Sequence, residues 1–399
     1  MSKSIFASVL VSVLIIFVAV PVCAAPGAGA INLSFNTSTR AEALGGAGVA
    51  LVWDDNPAHW ANPALIGFRP GIHYLDYRSE LAKGLADDIV LTNKELVLSA
   101  YGVGLLIAKG PLEGNFLDMG VQQSTNEEGE PTGEFSSYMQ AESWGLSLDG
   151  VQVAEALLGM PRGTLSRYAS LAGGMVWKDF EDRLAPDDIL QDPVGGGGAK
   201  GECKDRGWVL RATPLNLGYA DDRWADTILG LTLGGSIGRS VLNKTDEFIQ
   251  HVDADQSDPM PREITFGAAF SLYHSEYMGV LLVGDYLTPL YKWDNDKNDY
   301  GFGFETSQEE YGVGAEWNYL RSLFIRIGYK SAQYGDIQDS TYGFGVDMQE
   351  WSGQAITVDF ASATATWRGA SPPKRRSWAG WTTPGSCPST RWSTRTAST

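Results

Sequence analysis

A beat of two runs through most of this chain, and the residues on its two sides are of different kinds. In TILGLTLGGSIG, Leu229, Leu231 and Leu233 alternate with Gly230, Thr232 and Gly234. In ITFGAAFSLYHS, Ile264, Phe266, Phe270 and Leu272 oppose Thr265, Gly267, Ala269 and Ser271. Val313, Trp317 and Tyr319 alternate with Gly312, Gly314, Glu316 and Asn318, and Ile325 and Ile327 with Arg326 and Gly328. Period two means strands with two unlike faces. A soluble sheet buries its apolar face and carries bulky polar residues on the other. Here the second face is mostly Gly, Ala, Ser and Thr, which suits a barrel interior, while the large apolar face suits lipid. Trp144, Tyr168, Trp177, Tyr273, Tyr286 and Tyr319 stand near strand ends, where an aromatic girdle belongs. The expected fold is all-β, a transmembrane antiparallel β-barrel.

Charge and leader agree with export to a membrane. The formal charge of −18 excludes nucleic acid, whose phosphates need a basic face. Residues 1–24 read as a signal peptide: Lys3, an apolar run from Ile5 to Val20, and a small-residue cleavage site at Val22-Cys23-Ala24. The run is short for a spanning helix, which needs about 20 apolar residues. A lipoprotein reading of Cys23 is opposed by the Val20-Pro21-Val22 approach to it. Cys203 and Cys387 make no disulfide framework. The expected location is the bacterial outer membrane.

One stretch breaks the beat. RAEALGGAGVALVWDDNPAHWANPALIGF, Arg40 to Phe68, sets Gly45, Gly46 and Gly48 ahead of Asp54 and Asp55 and two Asn-Pro steps. As a dinucleotide loop it lacks the last glycine, the preceding strand and the following helix. It resembles the N-terminal signature of the FadL-type outer-membrane transporter superfamily, especially its PorV/PorQ-like branch. The matching residues are Arg40, Gly45, Gly46, Ala47, Asp54, Asp55, Trp60, Asn62, Pro63 and Ala64.

That resemblance implies a barrel of about 14 antiparallel strands, within the range of bacterial outer-membrane proteins. It also implies an N-terminal segment, residues 25–70, folded inward as a hatch, with the barrel over residues 71–362. Family members pass hydrophobic small molecules across the outer membrane or, in the PorV branch, serve type IX protein secretion. The expected partners are therefore outer-membrane lipid and either a hydrophobic ligand or secretion-system proteins. Glycines let backbone approach the wall, and non-helical backbone at membrane depth must be buried in protein or line a cavity. Asp54 and Asp55 would accept from lumen donors such as Arg326. The plainer alternative makes Ala41 to Val52 a first strand or short helix, with the Asn-Pro steps as a turn.

Other candidates are few. Glu316, Arg326, Lys330, Asp347 and Asp359 fall on the small face and are expected to line the lumen or pair within it. Asp294, Asp296, Asn298 and Glu305 have calcium-loop spacing, but Asp299 stands where the turn glycine is needed, so a solvated loop is expected. His59, His73, His251 and His274 form no zinc spacing and no G-x-S-x-G elbow appears, so no enzyme and no cofactor is expected.

The end of the chain changes character. From Phe360 onward there is no acidic residue, while Arg368, Lys374, Arg375, Arg376, Arg391 and Arg395 are basic. Alternation is expected to stop near Ser362, leaving 363–399 as an aberrant tail. A reading-frame shift there would replace a closing strand that ends in an aromatic residue; a natural disordered extension is the alternative.

Overall fold

The computed structural model describes residues 31–35, 37–51, 60–68, 70–82, 86–125, 130–183, 198–212, 230–238, 247–249, 257–259, 263–274, 277–289, 291–294, 299–302, 309–332, 337–348 and 356–367. The chain divides into two units, Met1–Trp367 and Arg368–Thr399. The second lies outside the described residues, as do the leader, Asp54 and Asp55.

The first unit is an all-β transmembrane barrel wall. Its strands are β1 (Gly71–Ala82), β2 (Ala86–Ala100), β3 (Val103–Ala108), β4 (Gly114–Thr125), β5 (Pro131–Asp149), β6 (Ala169–Arg183), β7 (Gly198–Ala212) and β8 (Gly230–Gly238). The short β9 (Glu247–Ile249) and β10 (Ser257–Pro259) follow, then β11 (Glu263–His274) and β12 (Met278–Pro289). Next come β13 (Tyr291–Asp294), β14 (Asp299–Phe302), β15 (Glu310–Tyr319), β16 (Leu323–Ala332), β17 (Ile337–Asp347) and β18 (Thr357–Trp367). A 14-stranded sheet joins all but the separate pairs β9–β10 and β13–β14. Every pairing within it is antiparallel, and apart from β3 and β4 the order in the sheet is the order in the chain.

β3 and β4 both lie between β2 and β5, so they are successive halves of one crossing. The 14 strands therefore make an odd number of crossings, and β18 runs in the same direction as β1. Among the described residues β1 pairs with β2 alone and β18 with β17 alone.

The parity expected from the sequence is the parity observed. Ile72, Tyr74, Leu146, Leu148, Leu171, Phe266, Ile325, Ile327, Tyr342 and Phe344 are exposed on the outer face, whereas Ala269, Val283, Glu316, Phe324 and Arg326 are buried on the inner one. Water would penalise so large an apolar exterior; lipid does not. Trp144 and Trp177 stack across β5 and β6 with ring centroids 4.1 Å apart. No described helix is long and apolar enough to cross a membrane.

β2 turns into β3 through Tyr101 and Gly102, both at positive φ, as a tight hairpin whose twist matches its strands requires. Leu320 and Arg321 make the equivalent turn from β15 to β16, and Leu320 N–H donates to Tyr277 O between β11 and β12 (2.7 Å). α1 (Thr39–Ala43) belongs to the N-terminal segment, and α2 (Gly150–Leu157) joins β5 to β6 at this same end. The connections over 184–197, 239–262 and 290–309 lie at the other end, while 213–229, also long and acidic, lies at the end of α2.

β18 continues to Trp367, past Ser362, and pairs there with Ile337 at the start of β17. The paired backbone thus runs past the point at which alternation was expected to stop. The calcium-loop spacing falls on a hairpin: Asp294 of β13 pairs with Asp299 of β14, where a calcium loop needs flanking helices. Asp296, Asn298 and Glu305 lie outside the described residues, and no metal-binding cluster occurs among those described.

Candidate functional site

The N-terminal segment runs along the inner face and touches strands from both halves of the wall. A turn of 3-10 helix at Ile31–Ser34 lies against β4 and β5, where Asn32 Nδ2 donates to Asn115 Oδ1 (3.0 Å). Ser38 caps α1, which packs on β16, β17 and β18. Residues 60–68 return across the sheet to β2, β3, β5, β6 and β7.

Each contact answers a feature of the sequence. Gly45 has φ +75, and a Cβ there would lie 2.4 Å from Tyr329 O, so both its conformation and its space call for glycine. Gly174 on β6 is its counterpart in the wall: a Cβ would come 2.3 Å from Pro63 O. The small inner face is therefore the imprint of this segment's backbone.

Asn62 holds the second crossing together. Its Nδ2 donates to Val49 O (2.8 Å) and Trp208 O (3.0 Å), while its Oδ1 accepts from Ala64 N–H (3.0 Å) as the N-cap of the Pro63–Gly67 turn. Proline at the first helical position needs no donor partner. Trp60 lies under Lys178, whose Nζ is 3.4 Å from the ring centroid and 2.6 Å from Asp205 Oδ2.

Charges close the first crossing. Arg40 is buried and grips Glu316 on β15 with both nitrogens, Nε to Oε2 at 2.8 Å and Nη2 to Oε1 at 2.7 Å. Arg326, the cross-strand partner of Glu316 on β16, donates to the same Oε2 at 2.6 Å and, through Nη1, to Asp359 on β18. Two guanidiniums thus meet two carboxylates in a neutral cluster that ties the segment to three strands. A bare buried charge would be prohibitive; this shared arrangement satisfies each one.

The remaining predicted residues, Lys330 and Asp347, lie outside this four-charge cluster. Lys330 pairs with Glu310 at 3.1 Å, half exposed. Asp347 is buried at the last position of β17, where its N–H donates to Ser322 O (2.8 Å). Arg326 is engaged by Glu316 and Asp359; the partner imagined for it, Asp54 or Asp55, falls outside the described residues.

Asp285 and Thr341 are among the wall anchors that were not foreseen. Asp285 on β12 accepts from Gly48 N–H (2.6 Å) and Val49 N–H (2.9 Å). Thr341 Oγ1 accepts from Gly45 N–H and donates to Ala43 O, both at 3.0 Å. A lone acid on the inner parity of an apolar strand, LLVGDYL, was the available signal for Asp285.

Between these polar ties the segment is apolar. Ala41, Leu44, Ala47, Ala50, Leu51, Ala64, Leu65 and Phe68 form one buried cluster with Ala172, Val209, Ala269, Leu281 and Val283 of the wall.

No protein-family model and no curated protein sequence matches this chain. Among solved structures, it is similar to the CymD monoaromatic hydrocarbon channel at 13% identity, covering 84% of this chain and 93% of that one, with a TM-score of 0.40. The Pseudomonas putida toluene transporter TodX gives 14% identity, 86% and 97% coverage and a TM-score of 0.36. A Pseudomonas aeruginosa FadL homologue gives 11%, 83%, 90% and 0.38.

Proposed function

We propose that this chain is an outer-membrane channel for passive passage of hydrophobic small molecules, with residues 25–70 as the hatch that sets access to the lumen. The observation that carries this reading is the buried apolar cluster that the N-terminal segment forms with the inner wall. A water-filled porin would leave that wall polar and wet. A segment held by a few polar anchors around an apolar centre offers a path in which greasy cargo replaces like contacts, while ions meet a desolvation barrier. The FadL-type signature of Arg40 to Ala64 agrees with it. No described feature favours the secretion-accessory role of the PorV-like branch.

The reading includes export by cleavage after residue 24, which N-terminal sequencing of the membrane-inserted protein would test. Transport is tested by expressing the chain in cells whose lipopolysaccharide layer excludes hydrophobic compounds. Uptake of a radiolabelled aromatic hydrocarbon should rise above the empty-vector rate, with no gain for a sugar of similar mass. Equal uptake with and without the protein defeats the proposal.

A further inference from the structure

The helix α2 is inside out. Its buried residues are Gln152 and Glu155, while Leu157 at its end is 82% exposed and Leu158 just after it 66%. A helix bathed in water does the reverse, turning its apolar stripe inward. Met160, Leu165 and Tyr168 in the following segment are also exposed.

This exposure is held in place. Asp149 caps α2 by accepting from Val151 N–H (3.0 Å). Glu155 accepts from Gly163 N–H (3.2 Å), Leu165 N–H, and Ser166 N–H (2.7 Å) and Oγ (2.8 Å), folding the segment back on the helix. The inward acids have taken the polar work, and the leucines are left outside by construction.

Two features say what covers them. The patch is continuous with the lipid-facing wall, since Leu148 of β5 and Leu171 of β6 are exposed on the outer face beside both ends of this connection. The local charge also opposes that of the whole chain. Between Gly150 and Tyr168 the only acid is the buried Glu155, whereas Arg162 and Arg167 are exposed, in a protein of net charge −18. Arginine beside exposed leucine and tyrosine at the edge of a lipid-facing band matches a phospholipid headgroup layer.

We propose that α2 and the segment to Tyr168 form an interfacial anchor: Leu157, Leu158, Met160 and Leu165 seat in the acyl boundary, and Arg162 and Arg167 bind phosphates of an anionic phospholipid. The inference rests on the transmembrane wall and is independent of what the lumen transports.

The test uses the full chain without its native cysteines, in phosphatidylethanolamine vesicles containing phosphatidylglycerol. An environment-sensitive fluorophore is attached through Leu157→Cys or, as a control at the opposite end of β5, Thr132→Cys. At position 157, quenching by doxyl-labelled phosphatidylglycerol should exceed that by doxyl-labelled phosphatidylcholine by roughly fivefold, as expected for a basic residue at the membrane surface. Iodide should quench position 132 and spare 157. The headgroup preference should vanish in Arg162→Gln/Arg167→Gln. Because Arg162 also donates to Phe68 O (3.5 Å), Arg167→Gln alone is the companion variant, with heat-modifiable gel migration as the folding control. Iodide quenching at 157 equal to that at 132, or quenching indifferent to headgroup in the parent chain, overturns the proposal.

Discussion

Arg40 and Glu316 are 276 residues apart in sequence and 2.7 Å apart in space, both nearly sealed from solvent. The pair fixes where the N-terminal segment lies against β15. Arg40→Ala should leave Glu316 with one guanidinium and a void, costing about 3–5 kcal/mol as for other broken buried pairs. Thermal unfolding in detergent gives the stability loss, and the same variant should raise hydrocarbon uptake if the segment is the hatch. A double change to apolar residues of matching volume should recover most of the stability.

Adjacent glycines on β6 separate the inner face from the outer. A Cβ at Gly174 would lie 2.3 Å from Pro63 O, whereas at Gly173 the nearest atom is Gly207 O at 3.9 Å. Gly174→Ala should therefore destabilise by about 1–3 kcal/mol through overpacking, and Gly173→Ala by much less. Protease cleavage within the largely buried residues 60–68 reports displacement of the segment, and Gly174→Ala alone should accelerate it.

Glu155 gives the connection between β5 and β6 a pH dependence. Burial pushes its carboxyl up, but hydrogen bonds from Ser166, Leu165 and Gly163 outweigh it and hold the pKa at about 2, below the ordinary 4.5. A depressed carboxylate stabilises the fold above its unfolded pKa, and that contribution fades as pH falls from about 4.5 towards 2. Amide exchange at Leu165 and Ser166 should accelerate across that window. In Glu155→Gln it should be fast already at neutral pH and insensitive to acid.

The faces of the wall were legible in the sequence because strand parity is local: Ile325 and Ile327 point out and Arg326 points in whatever the neighbours are. Of the glycines in the Arg40–Ala64 stretch, Gly45 makes the close backbone approach, with a Cβ there 2.4 Å from Tyr329 O. Which groups meet across the lumen was not legible. Arg326 could be assigned inward, but its engagement by Glu316 and Asp359 depends on the pairing of β15, β16 and β18. Asp285 was missed because a single acid in an apolar strand says nothing of the amides, Gly48 and Val49, that need it. Parity yields a face; only registry yields a partner.

Registry also bears on closure. β1 and β18 run in the same direction, and a barrel of antiparallel strands closes with an even number of crossings. Direct contact between them would be a parallel seam; the expectation here is one further antiparallel strand between them. Beyond Trp367 the chain carries Pro372, Pro373, Pro384 and Pro388, which donate nothing to a ladder. A gap one strand wide separates Cα atoms by about 9.5 Å, beyond the roughly 7 Å that a disulfide spans. Cysteines placed at Ile72, Tyr74 or Ser79 should therefore form no disulfide with cysteines at Val358, Phe360 or Ser362. The registered neighbours Tyr342 and Ser362, replaced in the same way, should. Replacing the residues after Ser362 with the strand read from another frame of the gene, if that frame encodes an alternating segment ending in an aromatic, should convert the protein to a heat-modifiable, protease-resistant barrel. A disulfide formed directly between β1 and β18 would instead mean that the seam is parallel and nothing is missing.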